Sequence, residues 1–114
     1  MYDSLEDIRD SIDSADGVLT LQMVDVRDAH GAGRLGVHVR TNISKKLRSM
    51  GLDHYPDELP PWQDGQVRIY RQGSAIADLI NAVLNPSMEH DEVLRTAVGG
   101  DAQDILDTIR ELVE

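Results

Sequence analysis

The sequence predicts a mainly α protein with a small β component, and three observations carry that expectation. Apolar residues recur at helical spacing through most of the 114 residues. A single stretch, residues 66–71, alternates apolar and polar side chains as a strand does. The glycines and prolines fall mainly between these stretches, where they act as boundaries.

Each element follows from its residues. Residues 3–15 place Leu5, Ile8, Ile12 and Ala15 on one helical face with acids opposite, and Asp16-Gly17 ends that helix. Residues 18–29 read two ways. Leu19, Leu21 and Met23 alternate as in a strand, whereas Leu21, Val24 and Ala29 behind Thr20 as N-cap fit a helix. A helix from Thr20 is favoured, because the run lacks aromatics and ends in Arg27-Asp28-Ala29. His30-Gly31-Ala32-Gly33 is a turn, since two glycines in four residues do not continue a helix stably. A helix then runs to Met50 and Gly51 terminates it, with Gly36 either allowing close helix contact or delaying the helix start.

Residues 53–65 contain Pro56, Pro60, Pro61 and Trp62 and are expected to form an irregular packed loop. In the strand that follows, Val67 and Ile69 share one face and Arg68 and Tyr70 the other. Ser74 caps a strongly apolar helix whose Ile76, Leu79, Ile80, Val83 and Leu84 face a core, and Asn85-Pro86 stops it. Ser87 opens a further helix to Val98 with Val93, Leu94, Ala97 and Val98 inward. A last amphipathic helix, 102–113, uses Ile105, Ile109, Leu112 and Val113. Residues 1–114 are expected to form one domain: an acidic helix at 1–16, a core at 17–73, core helices at 74–98 and an acidic helix at 101–114.

Charge is distributed unevenly. Residues 1–16 carry six acids against one Arg and residues 101–114 five against one, so the ends hold −9 of the net −10. Residues 29–52 contain no Asp or Glu at all, yet include Arg34, Arg40, Lys45, Lys46 and Arg48. Val39, Ile43, Leu47 and Met50 lie within roughly 60° of one direction on a helix, with Leu35 at the edge. Arg34, His38, Thr41, Lys45 and Arg48 fall opposite. A helix that buries one face and shows a cationic, hydrogen-bonding face to solvent has what a groove-reading helix needs. Solvation alone also produces charged outer faces, so the flanking elements decide between the two.

The order of helix, glycine turn, basic amphipathic helix, loop and Arg-bearing strand across residues 20–70 resembles the winged helix-turn-helix superfamily of DNA-binding domains. The segment 43–52, with its Leu-x-x-x-Gly-Leu ending at Leu47, Gly51 and Leu52, is similar to the end of a recognition helix. The resemblance implies a winged-helix-like domain with additional N- and C-terminal amphipathic helices. It departs from the pattern in its longer turn and in having one readable strand where a two-stranded wing is usual. A strand at 18–23 would supply a partner but would remove the first helix of the motif and so weaken the resemblance.

The resemblance implies double-stranded DNA as partner, with the basic helix in the major groove. Arg34 and Lys45 are then expected at phosphate or guanine edges, Thr41 and Asn42 at base edges or backbone, Arg48 at phosphate, and His38 on the same face. Arg68 and Arg71 would act as the wing. Arg40 lies too near the apolar side to be assigned. The terminal stripes Leu5, Ile8 and Ile12, and Ile105, Ile109 and Leu112, are expected to pair with each other, in a second subunit as a homodimer, or on the monomer core.

Other chemistry is not expected. The four His show no His-x-x-x-His spacing, and Glu89-His90-Asp91-Glu92 point in different directions on a helix. The stretch 31–36 lacks the Gly-Lys-Ser/Thr ending of a phosphate loop. No nucleophile triad or carboxylate pair can be read from spacing, so neither an enzyme nor a cofactor is expected. Cysteine is absent, no apolar run approaches the ~18 residues of a membrane span, and a cytoplasmic, membrane-free protein is expected. The alternative function is a non-enzymatic protein-interaction module, antitoxin-like, phage-encoded or adaptor, using the acidic helices with Trp62 as anchor.

Overall fold

The computed structural model describes residues 2–98 and 109–111, which fall into two compact units, one up to residue 76 and one from residue 77. In the first, α1 (Leu5–Ser14) starts where Ser4 Oγ accepts the Asp7 N–H at 3.2 Å and the Asp7 carboxylate accepts the Asp3 N–H at 3.0 Å. This reciprocal arrangement satisfies donors a helix start otherwise leaves free. The chain leaves α1 through Asp16 and Gly17, both left-handed at φ 59° and 94°, a conformation glycine adopts at little cost.

Strand β1 (Val18–Gln22) follows, then α2 (Met23–His30), α3 (Val37–Ser49), β2 (Leu52–Tyr55) and β3 (Gln66–Arg71). The strands form one antiparallel sheet in the order β1-β3-β2. Leu19 lies opposite Ile69 and Leu21 opposite Val67, while His54 faces Ile69 from the other side. The described part is therefore mainly α with a small three-stranded sheet, as the sequence predicts.

Two expectations about residues 18–55 are corrected. The helix expected from Thr20 is a strand up to Gln22, because its alternation sends Leu19 and Leu21 to the core while Thr20 pairs with Arg68. Helix α2 starts only at Met23, with its first N–H groups held by the following loop: Met23 N donates to Gly65 O at 2.8 Å and Val24 N to Gln63 O at 2.9 Å. Secondly, Leu52–Tyr55, expected partly as loop, is a strand whose inward residues are Leu52 and His54. Gly36 delays the basic helix, which begins at Val37.

One core joins these elements. Leu5, Ile8 and Ile12 of α1, Met23, Val26 and Ala29 of α2, and Ile43 and Leu47 of α3 pack with Leu52, Leu59, Val67 and Ile69. Burying each of these larger side chains contributes about 1.5–3 kcal/mol. Of the three arrangements expected for Leu5, Ile8 and Ile12, the structure shows packing on the core of their own unit, so this stripe is not left over for a subunit seam. Tyr70, on the sheet face of Arg68, is buried as well, and that burial pushes its phenol pKa up.

Helices α4 (Ala75–Leu84) and α5 (Met88–Val98) appear as expected, α5 opening where Ser87 Oγ accepts the His90 N–H at 2.9 Å. Their packing does not follow expectation. Leu79, Val83 and Leu84 of α4 and Val93 of α5 are exposed, and Ala82 is the buried residue of α4 among the described residues. Ile76 and Ile80 of α4 and Leu94, Ala97 and Val98 of α5 are half-buried, so the two stripes are covered only in part. In the expected C-terminal helix, residues 109–111 are helical with Ile109 exposed, whereas Ile105 and Leu112 lie outside the described residues.

Candidate nucleic-acid interface

Helix α3 is seated by Ile43 and Leu47, which are fully buried. At 100° per residue the opposite side is centred on Lys45 and His38, with Thr41, Asn42 and Ser49 beside them. All five are exposed. Arg34 is exposed in the segment leading into the helix. Among the described residues, Arg34, His38, Asn42 and Lys45 have no ion pair or side-chain hydrogen bond, so their polar atoms face solvent. The Thr41 hydroxyl is turned back onto its own helix and donates to Val37 O at 2.8 Å. Its oxygen remains an acceptor.

The cations on the helix flanks are occupied. Lys46 Nζ lies 3.4 Å from a carboxylate oxygen of Glu6 on α1. That lysine, with the backbone, holds the Glu6 carboxyl below its ordinary range. On the other flank, Arg48 reaches Asp53 at 3.4 Å and Asp57 at 3.1 Å. Arg48 was expected to meet phosphate; in the fold it already has two carboxylates, which an incoming phosphate must displace. Arg40 is structural: its guanidinium donates to Leu35 O at 3.0 Å and Leu59 O at 3.1 Å, tying the helix start to the loop after β2.

The two wing arginines part company. Arg68 leaves the sheet on the face opposite the one packed by α3, and its cross-strand neighbours are Thr20 and Tyr55 rather than an acid. Arg71 has the opposite parity and forms a two-point pair with Asp13 of α1, at 2.5 and 3.0 Å. The guanidinium holds the Asp13 carboxyl below its ordinary range, and Asp13 raises the Arg71 pKa in return. The expectation that Arg68 and Arg71 act together is therefore corrected.

An open groove of about 370 Å³ runs beside α3, with Thr41, Ser44 and Arg48 on one wall and Asp57 and Glu58 on the other. Below it sits His54, 3% exposed. In the neutral ring Nδ1–H donates to Pro56 O at 2.7 Å, a carbonyl that only accepts, which leaves Nε2 to accept from Ser44 Oγ at 2.5 Å. Burial holds the imidazole pKa below 6.5, the Arg48 charge adds to that effect, and the Pro56 carbonyl and the Asp53 and Asp57 carboxylates oppose it. Neither His54 nor the counter-ions Glu6, Asp13, Asp53 and Asp57 emerged from the sequence. For Asp53 a signal existed: it is the first residue beyond the acid-free window.

Among the described residues no three His, Cys, Asp or Glu converge on a possible metal position, and none of the helices is long and apolar enough to cross a membrane. The exposed strip His38, Thr41, Asn42 and Lys45 thus offers hydrogen bonds and one positive charge between two neutralised flanks. Comparison of the chain with protein-family models, curated proteins and solved structures finds no match.

Proposed function

We propose that this protein binds double-stranded DNA in the manner of a winged helix-turn-helix domain, laying α3 in the major groove as a small transcriptional or genome-maintenance regulator without a catalytic step. One observation carries the reading: in a chain with 21 acids, the solvent face of α3 is free of them and is built from hydrogen-bonding side chains. The element order supports it. Two consecutive helices, α2 and α3, are joined by a glycine-containing turn and followed by the β2–β3 hairpin, with β1 on the far edge of β3. The antiparallel pairing of β2 with β3 is consistent with the two-stranded wing this reading requires.

Within this reading, Lys45 reaches guanine N7 and O6 or a phosphate, Asn42 and His38 face base edges, and Arg34 meets the backbone at the helix entry. Arg68 is a further backbone contact if the duplex reaches the outer face of the sheet. Arg48 contributes only after releasing Asp53 and Asp57.

The test is anisotropy of labelled duplexes, one random and one drawn from a randomised library by repeated selection, titrated with salt. Binding by the intact chain that drops in Lys45→Glu/Arg34→Glu is expected. With Arg34, Lys45 and Arg68 as the cations of this interface that have no ion pair among the described residues, the logarithmic salt slope should lie near −3, at about 0.9 per phosphate. Failure of the folded protein to retain any duplex at low salt, random or selected, overturns the proposal.

A further inference from the structure

We propose that the loop joining β2 to β3 is a docking surface for an arginine-bearing segment of a partner protein, received on Trp62 among the loop's carboxylates. This goes beyond the DNA-binding reading: Trp62 and Asp64 lie outside the lining of the groove beside α3, whereas Asp57 and Glu58 border it.

Trp62 is the chain's one tryptophan, and it is 68% exposed in a protein that has no phenylalanine and an aliphatic core. Leaving so large an apolar group in water forgoes the favourable free energy of its burial. The segment is nevertheless not loose. Leu59 anchors it in the core, Arg40 holds Leu59 O at 3.1 Å, and Gln63 O and Gly65 O accept the first two N–H groups of α2. Trp62 O accepts the Gly65 N–H at 3.1 Å, and Pro60 and Pro61 precede it with fixed φ. An indole displayed on a pinned loop costs little ordering entropy when a partner covers it, and tryptophan is favoured at binding hot spots.

Charge selects the partner. Between Asp53 and Gly65 the chain carries Asp53, Asp57, Glu58 and Asp64, with no Lys or Arg. The Asp57 and Glu58 side chains are 97% and 91% exposed even with Arg48 and Arg40 nearby. Asp64 has no partner among the described residues. These carboxylates repel phosphate, so the loop is unsuited to nucleic acid and suited to a cation. A guanidinium suits both kinds of group the loop displays, since it stacks on an indole face and forks onto carboxylates.

The intact protein reports on itself, since its tryptophan emission arises from Trp62 alone. An oligo-arginine peptide at ~150 mM salt, where exposed long-range charge effects are largely screened, is expected to change that emission saturably. It should act more strongly than the matched oligo-lysine, because guanidinium stacks better than ammonium. A labelled form of the peptide should bind Trp62→Ala about tenfold more weakly, and Glu58→Gln/Asp64→Asn likewise. These sites are exposed, and far-ultraviolet circular dichroism verifies that the variants fold. Three results would overturn the proposal: unchanged emission with the arginine peptide, equal affinity of Trp62→Ala for the labelled peptide, or quenching by a single-stranded oligonucleotide in place of the peptide.

Discussion

The hydroxyl of Ser44 on α3 and Nε2 of His54 on β2 are 2.5 Å apart, which joins the outer helix to the sheet through a buried imidazole. Burial lowers the pKa of the ring, so above that pKa it is neutral, with Nδ1–H donating to Pro56 O and Nε2 accepting from Ser44.

That pairing makes stability pH-dependent in a defined window. His54 has a folded-state pKa below 6.5, so the unfolded chain binds a proton that the folded chain refuses. The contribution of the neutral ring is fully present above about pH 6.5 and is lost as pH falls toward the folded-state pKa, by at most ~1.4 kcal/mol per pH unit for one proton. Urea midpoints measured from pH 7.5 to 5 should fall for the parent chain and stay flatter for His54→Gln. Glu6 and Asp13, whose pKa values are lowered, act in the other window: their contributions are present above the ordinary carboxylate range and fade at more acid pH.

Removing the Ser44 hydroxyl strands a buried acceptor. Ser44→Ala is expected to destabilise by about 1–3 kcal/mol, read as a lower denaturant midpoint at unchanged slope.

Gly65 sits where a side chain has no room. A Cβ there would lie 2.6 Å from Pro60 Cβ and 3.2 Å from Trp62 O, and Gly65 O also holds the first N–H of α2. Gly65→Ala should cost about 1–3 kcal/mol by overpacking. Proteolysis near residues 60–65 should accelerate in parallel. An unchanged midpoint would mean that the loop yields freely.

Burial of the α1 stripe predicts a stability effect without an assembly effect. Ile8→Ala or Ile12→Ala should lose about 2–5 kcal/mol, because each leaves a cavity in a packed core. The loss should not depend on protein concentration, whereas a subunit seam would make it do so.

Freeing the flank cations should strengthen DNA binding. In Glu6→Gln/Asp53→Asn/Asp57→Asn, Lys46 and Arg48 lose their carboxylates. Duplex affinity should rise at low salt and the salt slope steepen by about 0.9 for each cation gained. An unchanged slope would show that Lys46 and Arg48 do not meet phosphate even when freed.

Much of the fold was legible because it is local. Leu5, Ile8 and Ile12 mark a helix by spacing alone, as do Ile43 and Leu47, and Gln66–Arg71 reads as a strand from its alternation. Val18–Gln22 was misread because five residues satisfy both periods, and what decides is the neighbour strand some fifty positions later. Leu52–Tyr55 escaped notice because its inward polar residue, His54, is apolar in effect only after Ser44 and Pro56 satisfy it. The candidate interface was half legible. Its outer strip follows from helical geometry, whereas the neutralised flanks depend on Glu6 of α1 and on Asp53 and Asp57 beyond the helix, which helical periodicity cannot bring together.

The strand order carries a last consequence, for synthesis. β3 is central and comes last in the sheet, so β1 and β2 have no edge to pair with until it is made. A nascent chain that has emerged only to residue 65 therefore lacks the strand that joins the two sheet edges, and lacks the Val67 and Ile69 that complete the core. Closure waits for Arg71 to clear the ribosome, and until then Val18–Gln22 and Leu52–Tyr55 are open to any other extended chain nearby.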